Sequence, residues 1–490
     1  MYEFKTKPYA HQKEIWEDSW REKFYALLME MGTGKSKVAI DTLAALFEQK
    51  EVDTALILAP KGVFDNWYKK EIPIHMPDRI DCRAVRWQSN FTKKFSEDIA
   101  KIAVPQQKEP NTLNILVMNI EALSTKKGAA SAAKYLELNP DNMVIVDEST
   151  TIKNRNAMRT KTVINLGRRA KYRRILTGSP ITQSPMDLFS QCDFLSPDAL
   201  NFRSYYAFQA RYAVLVKRQS GQGRPFNKIV GYRKLDELSE KLDKFSCRVL
   251  KKDCLDLPPK VYTTRNIPLT NEQAKLYNQM NQLALARLEN GELATTQSVL
   301  TQIMRLHQIT CGFLRPDDGD IEPIVNNRLA GLLEIVEEVQ GKAIIWGTWT
   351  YDIQKIAEAL RDRFGMDSVA TYHGGTPQEE RQEIVDAFQD ETSPLRFFVG
   401  QPRTGGYGIT LTAADTVIYY SNSYDLEIRL QSEDRAHRIG QTKSVTYIDL
   451  ISPNTVDEKI ITALRNKINL ASSVLREDAS DFLSNPFSPS

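Results

Sequence analysis

Short apolar runs bounded by turn or polar residues recur along this chain in two series. FYALLM (Phe24–Met29), TALILAP (Thr54–Pro60), LNILVMN (Leu113–Asn119) and NMVIVDE (Asn142–Glu148) come first; KAIIWG (Lys342–Gly347), LRFFVG (Leu395–Gly400), TVIYYS (Thr416–Ser421) and VTYIDLI (Val445–Ile451) follow after a long gap. Runs that are apolar at nearly every position, rather than at alternate ones, belong to strands covered on both faces, as in parallel sheets. Parallel strands need crossover connections, and helical patterns such as KSKVAIDTLAALFEQ (Lys35–Gln49) stand between the runs. The expected fold is therefore α/β: two lobes, each a parallel sheet flanked by helices. At 490 residues the chain also exceeds what one hydrophobic core normally organises.

From about residue 195 to 333 the composition shifts to helix formers, as in YRKLDELSEKLDKF and EQAKLYNQMNQLALARLENGEL, which predicts helical protrusions at about 195–256 and 260–333. LDLPPK (Leu255–Lys260) divides them, because paired prolines end a helix. The predicted division is residues 1–256 for the first lobe, 257–475 for the second and a loose tail at 476–490.

Lys and Arg number 65 against 62 Asp and Glu, a formal net charge of +3, so a polyanion-binding surface has to be a local patch. No apolar run approaches the roughly 20 residues needed to span a bilayer, and MYEFKTKPYAHQKEIW lacks a signal-peptide core. The expected location is cytoplasmic, with the nucleoid in a prokaryote or the host cytoplasm for a viral protein. Cys82, Cys192, Cys247, Cys254 and Cys311 are odd in number and lack a C-x-x-C pair, which predicts free thiols in a reducing compartment. The spacing of Cys247, Cys254, His307 and Cys311 matches no common zinc finger.

Three segments carry chemistry. MGTGKSKVAI sets Gly32, Thr33, Gly34, Lys35 and Ser36 between a strand and a helix. There, backbone N–H groups and a helix N-terminus can cradle phosphates, with Lys35 on the terminal phosphates and the Ser36 hydroxyl on magnesium. Met29 stands where the strict G-x-x-x-x-G-K-[ST] pattern has Gly, so by itself the segment also fits an ordinary glycine turn. NMVIVDEST ends a strand in two carboxylates, Asp147 for magnesium and Glu148 to orient or deprotonate the attacking water. Adjacent acids also fit a solvated loop, but nucleotide hydrolysis needs both parts and they occur in the right order. QSEDRAHRIGQ places Arg435 and Arg438 three residues apart, predicted to share a helix face. A guanidinium brought from another lobe suits the charge developing on a transferred phosphoryl group; the alternative is a solvated basic helix.

With these elements in order, the chain resembles the Swi/Snf (switch/sucrose-nonfermenting) ATPases of helicase superfamily two over nearly its whole length. KPYAHQKEIW is similar to the family's Q motif, which implies Gln12 on the adenine, and MEMGTGKS to its phosphate loop. LILAPKGVFDNWYKKEI, with Pro60 and Trp67, resembles motif Ia, VDESTTIKNRNAMR motif II, and RRILTGSPITQSPMDLFSQCDFL motif III, carried by Thr177, Gly178, Ser179 and Pro180. SCRVLKKDCLDLPPKVYTTRNIPLTNEQAKLYNQM looks like the connector, YHGGTPQEERQEIVDAFQ and RTGGYGITLTAADTVIYY like motifs IVa and V, and QSEDRAHRIGQTKSV like motif VI. The resemblance also implies Gly408 and Gln431 at the nucleotide. Three positions depart: Thr150 replaces the His usual at the end of motif II, where that side chain helps couple hydrolysis to motif III, and Gln401 and Thr410 stand where Ser and Asn are usual in motif V.

What the resemblance implies is an ATP- and magnesium-dependent motor of two RecA-like lobes on double-stranded DNA, contacting phosphates and reading little sequence. Expected contacts are Lys61, Asn66, Lys153, Arg155 and Arg159 in the first lobe and Gly374, Arg403, Thr404 and Gly405 in the second. The basic segment Lys217 to Lys234 is read equally as a DNA-touching or a solvated loop. The absence of a recognisable chromatin-binding module favours a minimal prokaryotic or viral motor, working as a monomer, over a nucleosome remodeller. A strand-separating helicase is the nearest alternative, and an ATP-gated clamp a more distant one.

Overall fold

The first series of apolar runs assembles into one sheet. In chain order its strands are β1 (Phe24–Met29), β2 (Thr54–Ala59), β3 (Cys82–Arg86), β4 (Leu113–Asn119), β5 (Asn142–Asp147) and β6 (Tyr172–Leu176). After a separate two-stranded sheet of β7 (Ala213–Arg218) and β8 (Phe226–Tyr232), the larger sheet is completed by β9 (Ser246–Val249). The spatial order is β3-β4-β2-β5-β6-β1-β9, with every neighbouring pair parallel. The fold is known from a computed structural model, which describes residues 2–218, 226–289, 296–316, 319–405 and 408–476. Most of the predicted tail, the middle of the basic segment Lys217 to Lys234, and Gly406 and Tyr407 of the motif V string lie outside the described residues.

Strands β2 and β5 are buried at every position, which is why their sequences run apolar without alternation. The Lys35–Glu48 helix packs on this sheet through Val38, Ile40, Leu43, Ala44 and Leu46 in one core with Ala55, Ile57, Ile115 and Ile145. Register places Leu27 of β1 and Asp147 of β5 both opposite Leu176 of β6. The contiguous strands β2, β5, β6 and β1 therefore end level, and the segments that follow them share one rim of the sheet.

A second sheet contains β10 (Lys260–Asn266), β13 (Lys342–Trp346), β14 (Val369–Tyr372), β15 (Phe397–Gly400), β16 (Ala414–Tyr419) and β17 (Val445–Ile451) in the order β10-β17-β16-β13-β15-β14, again all parallel. Between β10 and β13 come the helices Asn271–Glu289, Thr296–Cys311 and Arg328–Glu338, with a small ladder of β11 (Phe313–Leu314) and β12 (Glu322–Pro323). The chain divides into two compact units, built on residues 2–214 with 231–256 and on residues 257–469. Both are α/β, each a parallel sheet flanked by helices.

The stretch from 195 to 256 is not simply helical. It holds the Tyr205–Tyr212 and Leu235–Leu242 helices together with β7, β8 and β9. Strand β9 (SCRV) and strand β10 (KVYTTRN) lie at sheet edges with largely half-exposed residues, so neither carries a continuous apolar run. Among the described residues, no helix is long and apolar enough to cross a membrane.

The second unit encloses a buried polar cluster. Arg328 donates to the Tyr420 carbonyl at 2.7 Å, to Ser452 Oγ at 3.0 Å and to the Asp457 carboxylate. Asp352, buried beside Cys311 with the Arg328 charge nearby, is pushed by burial to about 8. Burial lowers His307, next to Asp457 and Arg328, to about 4.

Candidate nucleotide site

Strand β1 ends at Met29, a core residue with no solvent exposure, and the loop turns immediately after it. Gly32 (φ 80°) and Gly34 (φ 96°) take left-handed backbone conformations that only glycine adopts without cost. Gly34 caps the Lys35–Glu48 helix, so the first N–H groups of a fourteen-residue helix open onto this loop. A Cβ at Gly34 would lie 2.1 Å from Gln12 Nε2. Gln12 is buried, donates to the Thr33 carbonyl at 3.0 Å and accepts from the Tyr9 N–H at 3.1 Å. His11 Nε2 meets the same Thr33 carbonyl at 2.8 Å. The Q-motif helix is thus bonded directly to the loop. Lys35 folds back on the Glu30 carbonyl at 3.3 Å, and Ser36 is half-buried at the start of the helix.

Asp147 ends β5 and is held on both oxygens: Trp67 Nε1 donates to Oδ2 at 2.8 Å and the Glu148 N–H to Oδ1 at 2.9 Å. Burial pushes its carboxyl up from the ordinary value, opposed by the Trp67 bond, then by the Lys35 ammonium, then by the Glu148 N–H. The Lys35 charge therefore acts on Asp147, bringing phosphate loop and acid pair into one locality. Glu148 is buried in a left-handed conformation (φ 47°, ψ 61°), a strained arrangement for a non-glycine residue that persists only where neighbours enforce it. One carboxylate and one hydroxyl suit magnesium, which takes few protein ligands and completes its shell with water and phosphate oxygens. Glycine turns, the helix N-terminus and Lys35 likewise suit a polyphosphate.

The loop after β6, Thr177 to Pro180, lies against the phosphate loop: a Cβ on Gly178 would be 3.2 Å from the Met31 nitrogen. Arg248 of β9 donates to the Gly178 carbonyl at 2.9 Å and the Leu28 carbonyl at 3.1 Å, tying this loop to β1.

The second unit carries the other predicted residues, and here the helix expectation is corrected. The Leu426–Glu433 helix stops before Arg435, and residues 434–440 are successive turns closing at Gly440 (φ 100°). Arg435 and Arg438 nonetheless converge: Arg435 donates to the carbonyls of Ile409 (3.0 Å) and Gln431 (2.9 Å), and Arg438 to that of Ile409 (3.3 Å). The helix before them is anchored by its own charged side chains. Arg429 bonds Glu433, Asn422 and Asp449, and Glu433 also accepts from Tyr262 at 2.7 Å. Gln431 is buried with Oε1 unpaired, and Gly408 (φ 75°) is exposed.

Of the predicted nucleic-acid contacts, Lys61, Gly374 and Arg403 are exposed, and Asn66 donates to Glu71 at 3.0 Å. Lys153 donates to Thr182 Oγ1 at 2.7 Å and Arg159 to the Thr151 carbonyl at 3.1 Å. The Arg155 guanidinium stacks 4.1 Å from the Tyr205 ring. Thr404 is half-buried on the short Pro402–Gly405 helix, whereas Gly405 is buried with a Cβ position 2.6 Å from the Trp346 ring, so only its backbone can face a ligand.

Compared with known proteins, residues 22–313 match the family profile of the SNF2-related domain. The chain belongs to the SNF2-related family. A second profile, the helicase conserved C-terminal domain, matches residues 326–440. Curated relatives include the SWI/SNF chromatin-remodeling complex subunit snf22 of Schizosaccharomyces pombe, 27% identical over 93% of this chain and 27% of that protein. An uncharacterized ATP-dependent helicase of Mycoplasma genitalium is 26% identical over 93% of this chain and 40% of that protein. The chain thus spans between about a quarter and two-fifths of the length of these relatives. A solved Sulfolobus solfataricus SWI2/SNF2 ATPase core in complex with dsDNA is 24% identical over 97% of this chain and 95% of that one, with a TM-score of 0.42.

Met29, which departs from the strict phosphate-loop pattern, and Gln401 and Thr150, which depart from the SNF2-related one, have local settings. Met29 needs no glycine because it is still strand and its side chain fills the core. Gln401 follows β15 and donates to the Thr348 carbonyl at 3.2 Å, and Thr150 is buried in the turn after Glu148. Residues whose part was not foreseen from the SNF2-related motifs are Arg248 and Gln191, as well as the Trp67 bond to Asp147. Each acts across 40 residues or more of sequence, a separation that local spacing and periodicity do not report.

Proposed function

We propose that this chain is an ATP-driven motor that moves along double-stranded DNA. The observation that carries the reading is the meeting of a glycine-built phosphate loop, a lysine and a buried acid pair on one rim of a parallel sheet, in a chain of the SNF2-related family. Lys35 and the N–H groups at the start of its helix hold the terminal phosphates, Gln12 the adenine, and Thr33, Gly408 and Gln431 complete the nucleotide contacts. Ser36 and Asp147 hold magnesium, which supplies charge neutralisation on the phosphate oxygens. Glu148 orients the attacking water and accepts its proton, while Arg435 and Arg438 stabilise the charge that grows on the transferred group. Lys61, Asn66, Lys153, Arg155, Arg159, Gly374, Arg403, Thr404 and Gly405 contact duplex phosphates, which makes binding steeply salt-dependent. The protein works as a monomer in the compartment where it is made.

The test is ATP turnover with duplex DNA, single-stranded DNA, forked DNA and RNA. Selective stimulation by duplex DNA is expected; turnover indifferent to duplex DNA refutes the reading. The name of the Mycoplasma relative favours a second reading, a strand-separating helicase. Triplex displacement without fork unwinding marks a translocase, and fork unwinding marks the helicase.

A further inference from the structure

One helix reaches both the acid-pair turn and the loop after β6. In the Leu188–Leu195 helix, Gln191 has no solvent exposure, and its amide is used at both ends. Its Oε1 accepts from Ser149 Oγ at 2.7 Å, and its Nε2 donates to the carbonyls of Pro180 and Asp187, each at 2.8 Å. Ser149, also without exposure, directly follows the strained Glu148, and Pro180 closes the loop whose Gly178 abuts the phosphate loop. The neighbouring Ser190 donates to the carbonyls of Ile152 (2.8 Å) and Lys153 (2.9 Å), just downstream of the same turn. Asp187, at the head of this helix, accepts from the N–H groups of Thr182 (3.0 Å) and Gln183 (2.8 Å).

A primary amide has the chemistry this place requires: an oxygen to accept from a hydroxyl and two N–H groups to donate to carbonyls. An apolar side chain of similar size would fill the space without the desolvation that a buried amide must offset. We propose that Gln191 is a positioning residue for ATP hydrolysis: by holding Ser149 at one end and Pro180 at the other, it keeps Glu148 in its left-handed conformation and makes the acid pair follow the loop after β6. The inference rests on the hydrolytic reading above.

The experiment compares the full chain with Gln191→Met, Ser149→Ala and the double variant, measuring DNA-stimulated kcat, KM for ATP and thermal midpoint. Either single change breaks the bridge, so each is expected to lower kcat about tenfold with KM within about twofold, and the double is expected to be no worse than the singles. Ser149→Thr, which keeps the hydroxyl, restores kcat over Ser149→Ala. Should Gln191→Met fail to fold, Ser149→Ala and its threonine rescue decide the matter. Losses that multiply in the double variant, or a lowered midpoint with unchanged kcat, overturn the proposal and leave the motor reading standing. No ATP hydrolysis by the unmodified chain overturns both.

Discussion

Replacing Gly34 by alanine should damage the phosphate loop in a way the structure allows to be apportioned. The left-handed backbone at Gly34 (φ 96°) costs an L-residue roughly 1–2 kcal/mol. The new Cβ would also stand 2.1 Å from Gln12 Nε2, so the amide must move and give up its 3.0 Å bond to the Thr33 carbonyl, a further loss of about 1 kcal/mol. The total is about 2–3 kcal/mol, read from urea unfolding followed by tryptophan emission. A fluorescent ATP analogue should bind at least about tenfold more weakly, because the turn aims the helix N–H groups. The clash can be separated from the strain by a double-mutant cycle. With Gln12→Ala already present there is nothing to strike, so Gly34→Ala should then cost only the backbone strain, and the two changes should couple by about 1 kcal/mol. Strict additivity would refute the steric half of this reasoning, and a stable Gly34→Ala variant with intact nucleotide binding would refute all of it.

Two other perturbations test distant parts of the chain. Arg438→Ala should lower turnover by about 10³-fold while nucleotide binding persists, the scale of an arginine finger, as checked by steady-state kinetics beside a binding titration. Asp352 favours its neutral form in the fold, with a value near 8 against an ordinary 3.8, so its contribution is complete below about 4 and is lost as pH rises towards 8. His307, lowered from 6.5 to about 4, slopes the other way at acid pH, since its neutral form is the one the fold prefers. Asp352→Asn should therefore gain on the parent progressively between about pH 4 and 8, the difference reaching several kcal/mol at about pH 9. Parallel pH profiles for the two proteins would contradict the assignment.

The central strands could be read from the chain because burial on both faces leaves no polar positions, as in TALILA and NMVIVD. The edges could not. Strands β3 (CRAVR), β9 (SCRV) and β10 (KVYTTRN) pair on one side and keep half-exposed polar residues, so periodicity gives no strong signal. In the site, the left-handed glycine turn that opens the Lys35–Glu48 helix was legible from local spacing. Trp67 on Asp147 and Gln191 on Ser149 were not, because 80 and 42 residues separate the partners and only the parallel topology brings them together. The spacing of Arg435 and Arg438 predicts one helix face, but the helix ends at Glu433, before either residue. Their convergence survives because a common acceptor, the Ile409 carbonyl, gathers the two side chains from turns.

Each sheet depends on a strand supplied late. Ala26 of β1 pairs with Ser246, and Lys260 of β10 with Val445, so neither sheet is complete until well over a hundred further residues have been made. On the ribosome, β1 waits with one edge open through the synthesis of almost the whole first unit, and β10 through nearly all of the second. Unpaired parallel edges form slowly and attract other chains. Products truncated between Asn266 and Val445 should accordingly aggregate, and recombinant yield should depend on how quickly the last strand is delivered.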